Sequence, residues 1–143
     1  MQRLNSEKQN RFADKLCVAE QLPGNDWITM PVGSGGAGVD AQYHMTFRDN
    51  IRGAVFAAAA GDPSMNNVRT ALLGSTWIGG TRALNYVQLH DEAWPSSGGQ
   101  RMVKTIDTVA PHDDVYARGR TMLAEGLTLT AAGIPALLTV CSY

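Results

Sequence analysis

The chain has 143 residues, of which 44% are hydrophobic and 17% are charged, and its formal net charge is −1. This balance is typical of one folded domain with a sizeable core and argues against a disordered chain. Lysine and arginine are scattered through the sequence, so neither nucleic acids nor anionic membranes are expected as partners.

The N-terminal residues 1–14 are polar and charged and fit a short helix on an outer surface. They have the features of neither a signal peptide nor a membrane anchor. No apolar run approaches the roughly 18 residues that a membrane helix requires. The sequence therefore predicts a soluble, cytoplasmic protein.

In the next part of the chain, short apolar runs lead into loops. Lys15–Glu20 predicts a buried strand, and Pro23 and Gly24 end regular structure after it. The glycine-rich stretch Pro31–Gly38 fits either a flexible linker or a tight loop in which the backbone approaches a neighbour or a ligand. Val39–Tyr43 fits a short second strand.

The middle of the chain predicts two helices followed by a third strand. The segments are a helix at Thr46–Ala60, a helix that Asp62, Pro63 and Ser64 begin and that reaches about Leu73, and a strand at Ala83–Leu89. The first helix is amphipathic, and its apolar stripe consists of Phe47, Ile51, Val55 and Ala58. Gly61 marks its end.

The last third begins with a polar stretch from His90 to Pro111, which predicts a functional loop with some short helix. Residues 115–130 form an amphipathic helix pattern whose apolar members are Met122, Leu123, Leu127 and Leu129. Gly133–Val140 predicts a fourth buried strand, with no helix after it.

Apolar strands that alternate with helices predict a parallel α/β fold, formed by a single segment that spans residues 1–143. No internal repeat or domain boundary stands out. The two cysteines, Cys17 and Cys141, lie far apart in apolar runs, which favours buried thiols over a disulfide or a metal pair.

Two carboxylates follow predicted strands, Glu20 after the first and Asp91 after the third. In one parallel sheet both would project from the same rim. Cleavage of a glycosidic bond needs such a pair, in which a shielded, protonated acid donates to the leaving oxygen and an ionised carboxylate stabilises or attacks the sugar carbon. Carboxylates at strand ends also occur by chance, so spacing alone leaves a structural interpretation open.

Other candidate sites have weaker support. The glycine-rich stretch lacks the Lys-Ser/Thr pair of a phosphate-binding loop. The histidines share no metal-ligand spacing, so no metal and no cofactor are predicted; they are His44, His90 and His112. Each of the tryptophans fits either stacking on a sugar ring or packing in the core; they are Trp27, Trp77 and Trp94.

Four segments, taken in order, resemble the α-amylase family of glycoside hydrolases, and within it the α-glucan branching enzymes most closely. KLCVAEQLPGNDWIT looks like the fifth barrel strand, and GGAGVDAQYHMTFRDNIR is similar to the sixth-strand region Gly-Ala-Gly-Phe-Asp-Ala-Gln-Trp. ALNYVQLHDEAW looks like the seventh-strand motif that ends in His-Asp, and TLTAAGIPALL resembles the passage Leu-Thr-x-x-Gly-Ile-Pro into the eighth strand.

The resemblance implies a role for each residue at this rim. Glu20 is expected to be the general acid/base, and Asp91 is expected to stabilise the oxocarbenium-like transition state. His90 would hydrogen-bond the sugar at the point of cleavage, and Tyr43 and Trp27 are weaker candidates for stacking on glucose rings. The implied substrate is an α-1,4-linked glucan of the glycogen or starch type, and the implied process is glycogen biosynthesis.

The sequence departs from the family in ways that affect activity. The nucleophile motif Gly-Phe-Arg-x-Asp and the first four strands are missing, so the chain resembles strands five to eight of a (β/α)8 barrel, its C-terminal half. We expect this half to associate with the missing N-terminal half or with itself, and to be inactive alone, because a covalent mechanism fails without its nucleophile.

Several alternatives stay open. The resemblance does not separate branching from hydrolysis or from trehalose-forming chemistry. A non-catalytic sugar-binding or interaction module would keep the rim without the reaction. An unrelated doubly wound α/β protein would bind its ligand at a switch point in the strand order.

Overall fold

The computed structural model describes residues 7–8, 10–73, 81–93, 100–106 and 114–138. The predictions that concern Trp77, Trp94, His112 and Cys141 lie outside these residues, as does the end of the fourth predicted strand. Among the helices that are described, none combines the length and the apolar character needed to cross a lipid bilayer.

Strands and helices alternate along the described chain. The strands are β1 (Val18–Ala19), β2 (Ala41–Tyr43), β3 (Ala83–Asn85) and β4 (Ile134–Pro135). The helices are α1 (Asp26–Thr29), α2 (Met45–Ala59), α3 (Met65–Leu72), α4 (His90–Ala93), α5 (Met102–Thr105) and α6 (Val115–Thr130). All four predicted strands and the three longer predicted helices are therefore present, although the strands are shorter than predicted.

The four strands form one parallel sheet in the order β1-β2-β3-β4. Its register pairs Val18 with Ala41, Gln42 with Ala83 and Leu84 with Ile134. The α/β class is thereby confirmed. Because all strands run the same way, the residues that follow β1, β2 and β3 reach the same edge of the sheet.

The main core lies between α2 and the elements that pack on it. Phe47, Ile51 and Val55 are buried against Val87 and against residues of α5 and α6, as the predicted stripe requires. Ala58 of the predicted stripe is only half-buried, whereas Ala54, which the predicted stripe did not include, is buried.

The helix α6 has the predicted bounds but buries a different face. Met122, Leu123 and Leu129 are 71%, 62% and 56% exposed, whereas the residues that face the core are Ala117, Thr121, Ala124 and Thr128. The two threonine hydroxyls donate to carbonyls one turn earlier, so they are satisfied inside the helix. Small side chains let the helix lie close to the core, which the apolar pattern alone does not indicate.

The predicted burial of the outer strands was wrong. Val18 of β1 is 36% exposed, and Ile134 of β4 is half-buried. Both strands have one neighbour in the described sheet, so one side of each lacks cover. Cys17, next to β1, is half-buried for the same reason, whereas full burial was predicted. Its thiol is not in a disulfide.

A chain of hydrogen bonds connects the ends of β2 and β3 with the loop before β4. The Asn85 amide donates to the Ala132 carbonyl at 2.9 Å, so its oxygen accepts from Nδ1 of His44 at 2.8 Å. Burial of the His44 ring lowers its pKa, against the opposing effect of the Asn85 hydrogen bond. His44 is thus a neutral histidine inside the fold.

The loop before β4 packs against these hydrogen-bonded side chains, and only glycine fits at position 133. Gly133 has a φ of 138°, and a Cβ there would lie 2.6 Å from Nδ2 of Asn85. We predict that Gly133→Ala lowers the free energy of unfolding by about 2–4 kcal/mol through backbone strain and overlap. The control Gly126→Ala, in α6 with open space around it, should raise it by about 0.5–1 kcal/mol. Urea denaturation measures both, and equal effects would contradict the packing described for Gly133.

The lowered pKa of His44 makes the stability of the protein depend on pH. The pKa of His44 in the folded state lies below the unfolded value of about 6.5, so the unfolded state binds a proton first as the pH falls. Stability should therefore decrease from about pH 6.5 downwards, until the folded pKa is reached, by at most about 1.4 kcal/mol per pH unit. Urea denaturation at a series of pH values, compared with His44→Gln, tests this. If His44→Gln loses as much stability at low pH as the wild type does, the loss comes from other groups.

Candidate functional site

Three predicted site residues meet at the carboxyl edge of the sheet. Glu20 directly follows β1, while His90 and Asp91 form the start of α4, a few residues after β3. Nε2 of His90 lies 3.2 Å from Oδ1 of Asp91 and 4.0 Å from Oε1 of Glu20. The structure thus places both predicted carboxylates at one rim, with the imidazole between them.

The three side chains are open to solvent. Their exposed fractions are 49% for Glu20, 57% for His90 and 65% for Asp91. A general acid of this type is predicted to be shielded from water, and the described residues do not shield Glu20. A glutamate that acts as a general acid usually lies in a pocket shielded from water. Further residues would have to cover Glu20 before it had such an environment.

The same three residues could also hold a metal ion. Each offers one ligand atom, and these atoms lie within 4.8 Å of one another. Imidazole nitrogen and carboxylate oxygen suit a divalent ion such as zinc or manganese. The spacing along the sequence gave no such indication because Glu20 is brought to the other two only by the sheet. Exposed acidic groups are common without an ion, so the arrangement carries no metal assignment.

A small concavity lies at this rim. Its volume is about 40 Å³. Ligand pockets commonly reach about 300–1,000 Å³, so the described residues form only part of a sugar site. The lining residues are Glu20, Leu22, Tyr43, Arg48, Tyr86, Leu89, His90, Asp91 and Glu92.

Of the two predicted stacking residues, the structure brings one to the rim. The Tyr43 ring lines the concavity and meets the Tyr86 ring edge-on at a centroid distance of 5.4 Å. Trp27 lies in α1, donates its indole N–H to the carbonyl of Gly35, and is not among the residues that line the concavity. A role for Trp27 at this rim therefore has no support from its position.

Burial and nearby charges raise the pKa values of two tyrosine hydroxyls at this rim. Burial raises the pKa of Tyr43, and the negative charges of Glu20 and Asp91 raise it further. Burial also raises the pKa of Tyr86 to about 12, although the nearby Arg48 opposes this shift. Both hydroxyls stay protonated near neutral pH and can donate to a ligand oxygen.

An ion pair between α2 and α4 lies beside these residues. Nη1 of Arg48 donates to Oε1 of Glu92 at 2.7 Å, and the guanidinium lies 5.7 Å from the centre of the Tyr86 ring. The other Glu92 oxygen accepts the N–H of Leu89 at 2.9 Å. Burial alone would raise the pKa of Glu92, but these hydrogen bonds outweigh it and the pKa lies below its usual value.

Sequence reasoning missed Arg48, Glu92 and Tyr86. One signal for Glu92 was present, because a glutamate three residues after a helix N-cap often accepts the N-cap amide, here that of Leu89. No local signal exists for Arg48, whose partner Glu92 is 44 positions away in the sequence. Their contact follows from the packing of α2 against the end of β3.

The glycine-rich stretch forms a tight loop at the other end of the sheet. The amides of Gly36, Ala37 and Gly38 donate to backbone carbonyls at 2.8–3.1 Å, so they do not form a phosphate cradle. A Cβ on Gly36 would lie 2.1 Å from the Met30 carbonyl oxygen, which explains the glycine. A cavity of about 430 Å³ beside this loop is lined by Pro31, Val32, Gly33, Gly38, Val39, Asp40, Thr81 and Arg82.

No protein-family model, no curated protein and no solved structure matches the chain.

The proximity of Glu20 to Tyr43 has a measurable consequence. We predict that Glu20→Gln lowers the pKa of Tyr43 towards 10, because one of the nearby negative charges disappears while the burial of the ring remains. NMR titration of ring-labelled tyrosine measures the shift. The control Glu7→Gln, in an exposed pair with Arg11, should leave the Tyr43 value unchanged. If the pKa of Tyr43 is unchanged in Glu20→Gln, Glu20 does not lie close to the Tyr43 ring.

Proposed function

We propose that this chain is the acid/base half of an α-glucan-active site of the α-amylase type, most like a 1,4-α-glucan branching enzyme. One observation carries the proposal: Glu20, His90 and Asp91, from the ends of two strands, meet within 4.8 Å. The His-Asp pair and the strand-terminal glutamate are also the residues on which the sequence resemblance rests.

The order of the strands supports a barrel of this type. In a (β/α)8 barrel each strand pairs with the next one along the chain, and the sites lie at the carboxyl ends of the strands. The described sheet has this order and places the three residues at that edge. A doubly wound sheet would reverse its strand order at the ligand site, and the four described strands contain no such reversal. We therefore interpret the sheet as strands five to eight of a partial barrel.

The proposed reaction is a retaining transfer. Glu20 gives a proton to the departing glycosidic oxygen while a nucleophilic carboxylate from the other barrel half bonds to the sugar carbon, and Asp91 stabilises the positive charge that develops on the sugar ring. The incoming hydroxyl later displaces that carboxylate. His90 and the hydroxyl of Tyr43 bind sugar hydroxyls. Glu20 then takes a proton from the incoming hydroxyl, which belongs to a second glucan chain in branching and to water in hydrolysis. Because the proposed substrate is of the glycogen type, we propose a cytoplasmic location for the protein.

The site needs a second component. The concavity of about 40 Å³ is far too small for a glucosyl ring, and the sequence contains no nucleophile motif. We propose that an N-terminal barrel half, or self-association, supplies the missing wall. The proposed partners are thus an α-glucan and a further barrel half, without nucleic acid or membrane.

A second candidate is a sugar-binding module without catalysis. The observation that favours it is the exposure of Glu20, His90 and Asp91, which suits an open binding surface better than an enclosed active site. The two candidates differ in what Glu20→Gln does. Loss of the acid should abolish transfer, while an uncharged amide that still hydrogen-bonds should leave most of the sugar affinity.

We predict that the isolated chain neither branches nor hydrolyses amylose, and that fusion to an N-terminal half carrying the nucleophile gives activity. In the fusion, Glu20→Gln should lower kcat by about 10²–10⁴, the contribution of general acid/base catalysis. Glu7→Gln is the matched control and should keep full activity. Iodine staining and reducing-end assays measure both reactions. Turnover by the isolated chain, or full activity of the Glu20→Gln fusion, would contradict the proposal.

A further inference from the structure

The rim contains two neighbouring carboxylates in different environments. The Asp91 side chain is 65% exposed and lies beside His90, whereas the Glu92 side chain is 16% exposed and faces the protein. Residues that are adjacent in a helix point about 100° apart, so fixing one of them fixes the direction of the other. What holds Glu92 therefore decides where His90 and Asp91 point.

Glu92 is held from both sides. One carboxylate oxygen accepts the N–H of Leu89, which closes the first turn of α4. The other accepts from Arg48 of α2, whose side chain is only 19% exposed. A helix of four residues has little stability of its own, because nucleation of the first turn is unfavourable. This pair therefore ties α4 to α2.

Arg48 is itself well anchored. Its Nε donates to Oδ1 of Asp49 at 2.8 Å, and its guanidinium lies over the Tyr86 ring. The fork of the guanidinium reaches Glu92 with a separate nitrogen, so Arg48 can hold Asp49 and Glu92 at the same time. Because Arg48 belongs to the long helix α2, which carries the core residues Phe47 and Ile51, the core fixes the backbone from which the Arg48 side chain extends.

From these contacts we propose that Arg48 is a positioning residue, which acts through Glu92 to hold His90 and Asp91 next to Glu20. Arg48 itself lines the concavity, and its hydrogen bond to α4 is the one to Glu92. Reacting groups have to be held to within about half an ångström of the productive geometry, and an error of about 1 Å can cost about a hundredfold in rate. The catalytic meaning of this role rests on the proposed function, whereas the geometric claim does not.

The test uses the 143-residue chain and the contact between His90 and Glu20. In the wild type, NMR should show a nuclear Overhauser cross-peak between the His90 ring and the Glu20 side chain, and Glu20→Gln should shift the His90 ring signals. Arg48→Met should abolish both effects, while Arg48→Lys, which keeps one donor to Glu92, should keep part of them. Glu92→Met should reproduce the loss seen in Arg48→Met.

A control variant separates positioning from general stability. Arg52→Met removes a hydrogen bond from α2 to the Val87 carbonyl and leaves the contacts of Arg48 and Glu92 in place. It can lower the melting temperature, but it should keep the cross-peak and the response to Glu20→Gln. The His44 ring signal reports that each variant is folded, and Glu92→Met serves where Arg48→Met does not fold.

Retention of the His90–Glu20 cross-peak in folded Arg48→Met or Glu92→Met would overturn the proposal, as would its loss in folded Arg52→Met. These outcomes do not depend on catalysis. An inactive wild-type fusion would count against the proposed glucan reaction and would leave the role of Arg48 to be decided by the NMR comparison alone.

Discussion

Parallel pairing of β1 with β2 and of β2 with β3 is the constraint on which the rest of the structure depends. The register Val18–Ala41 and Gln42–Ala83 brings the carboxyl ends of the strands to one edge. Glu20 meets His90 there only because the backbone ladders hold those strand ends together. The rim is thus a consequence of the sheet, and none of its own contacts would assemble it from residues so distant in the sequence.

A rim with carboxylates at positions 20, 91 and 92 concentrates negative charge, and its neighbours show the effect. The pKa of Tyr43 is raised, with burial as the larger cause and these charges as the next. The side chains of Glu20 and Asp91 remain 49% and 65% exposed to water. Glu92, the more buried one, is compensated by Arg48 and by the amide of Leu89, as a buried charge has to be.

The sequence predicted those parts of the molecule that local patterns determine. The bounds of α6 follow from the Asp114 N-cap, which accepts the Ala117 amide, and from the long helical run after it. Its packing face did not follow, because the fold buries small residues and leaves Met122 exposed. Glu20 and Asp91 could be selected as strand-end carboxylates, whereas the Arg48–Glu92 pair depends on the tertiary packing of α2 and carries no sequence signal. The barrel, the reaction and the substrate rest on resemblance.

The central claim is spatial: Glu20 and Asp91 lie at the same edge of the parallel sheet. A crystal structure of the protein that locates both carboxylates tests it most directly. We predict that carboxylate oxygens of the two residues lie within 4.8 Å of each other, with the His90 ring alongside. Carboxylates at opposite ends of the sheet, or separated by more than the roughly 10 Å that could flank one sugar ring, would contradict it.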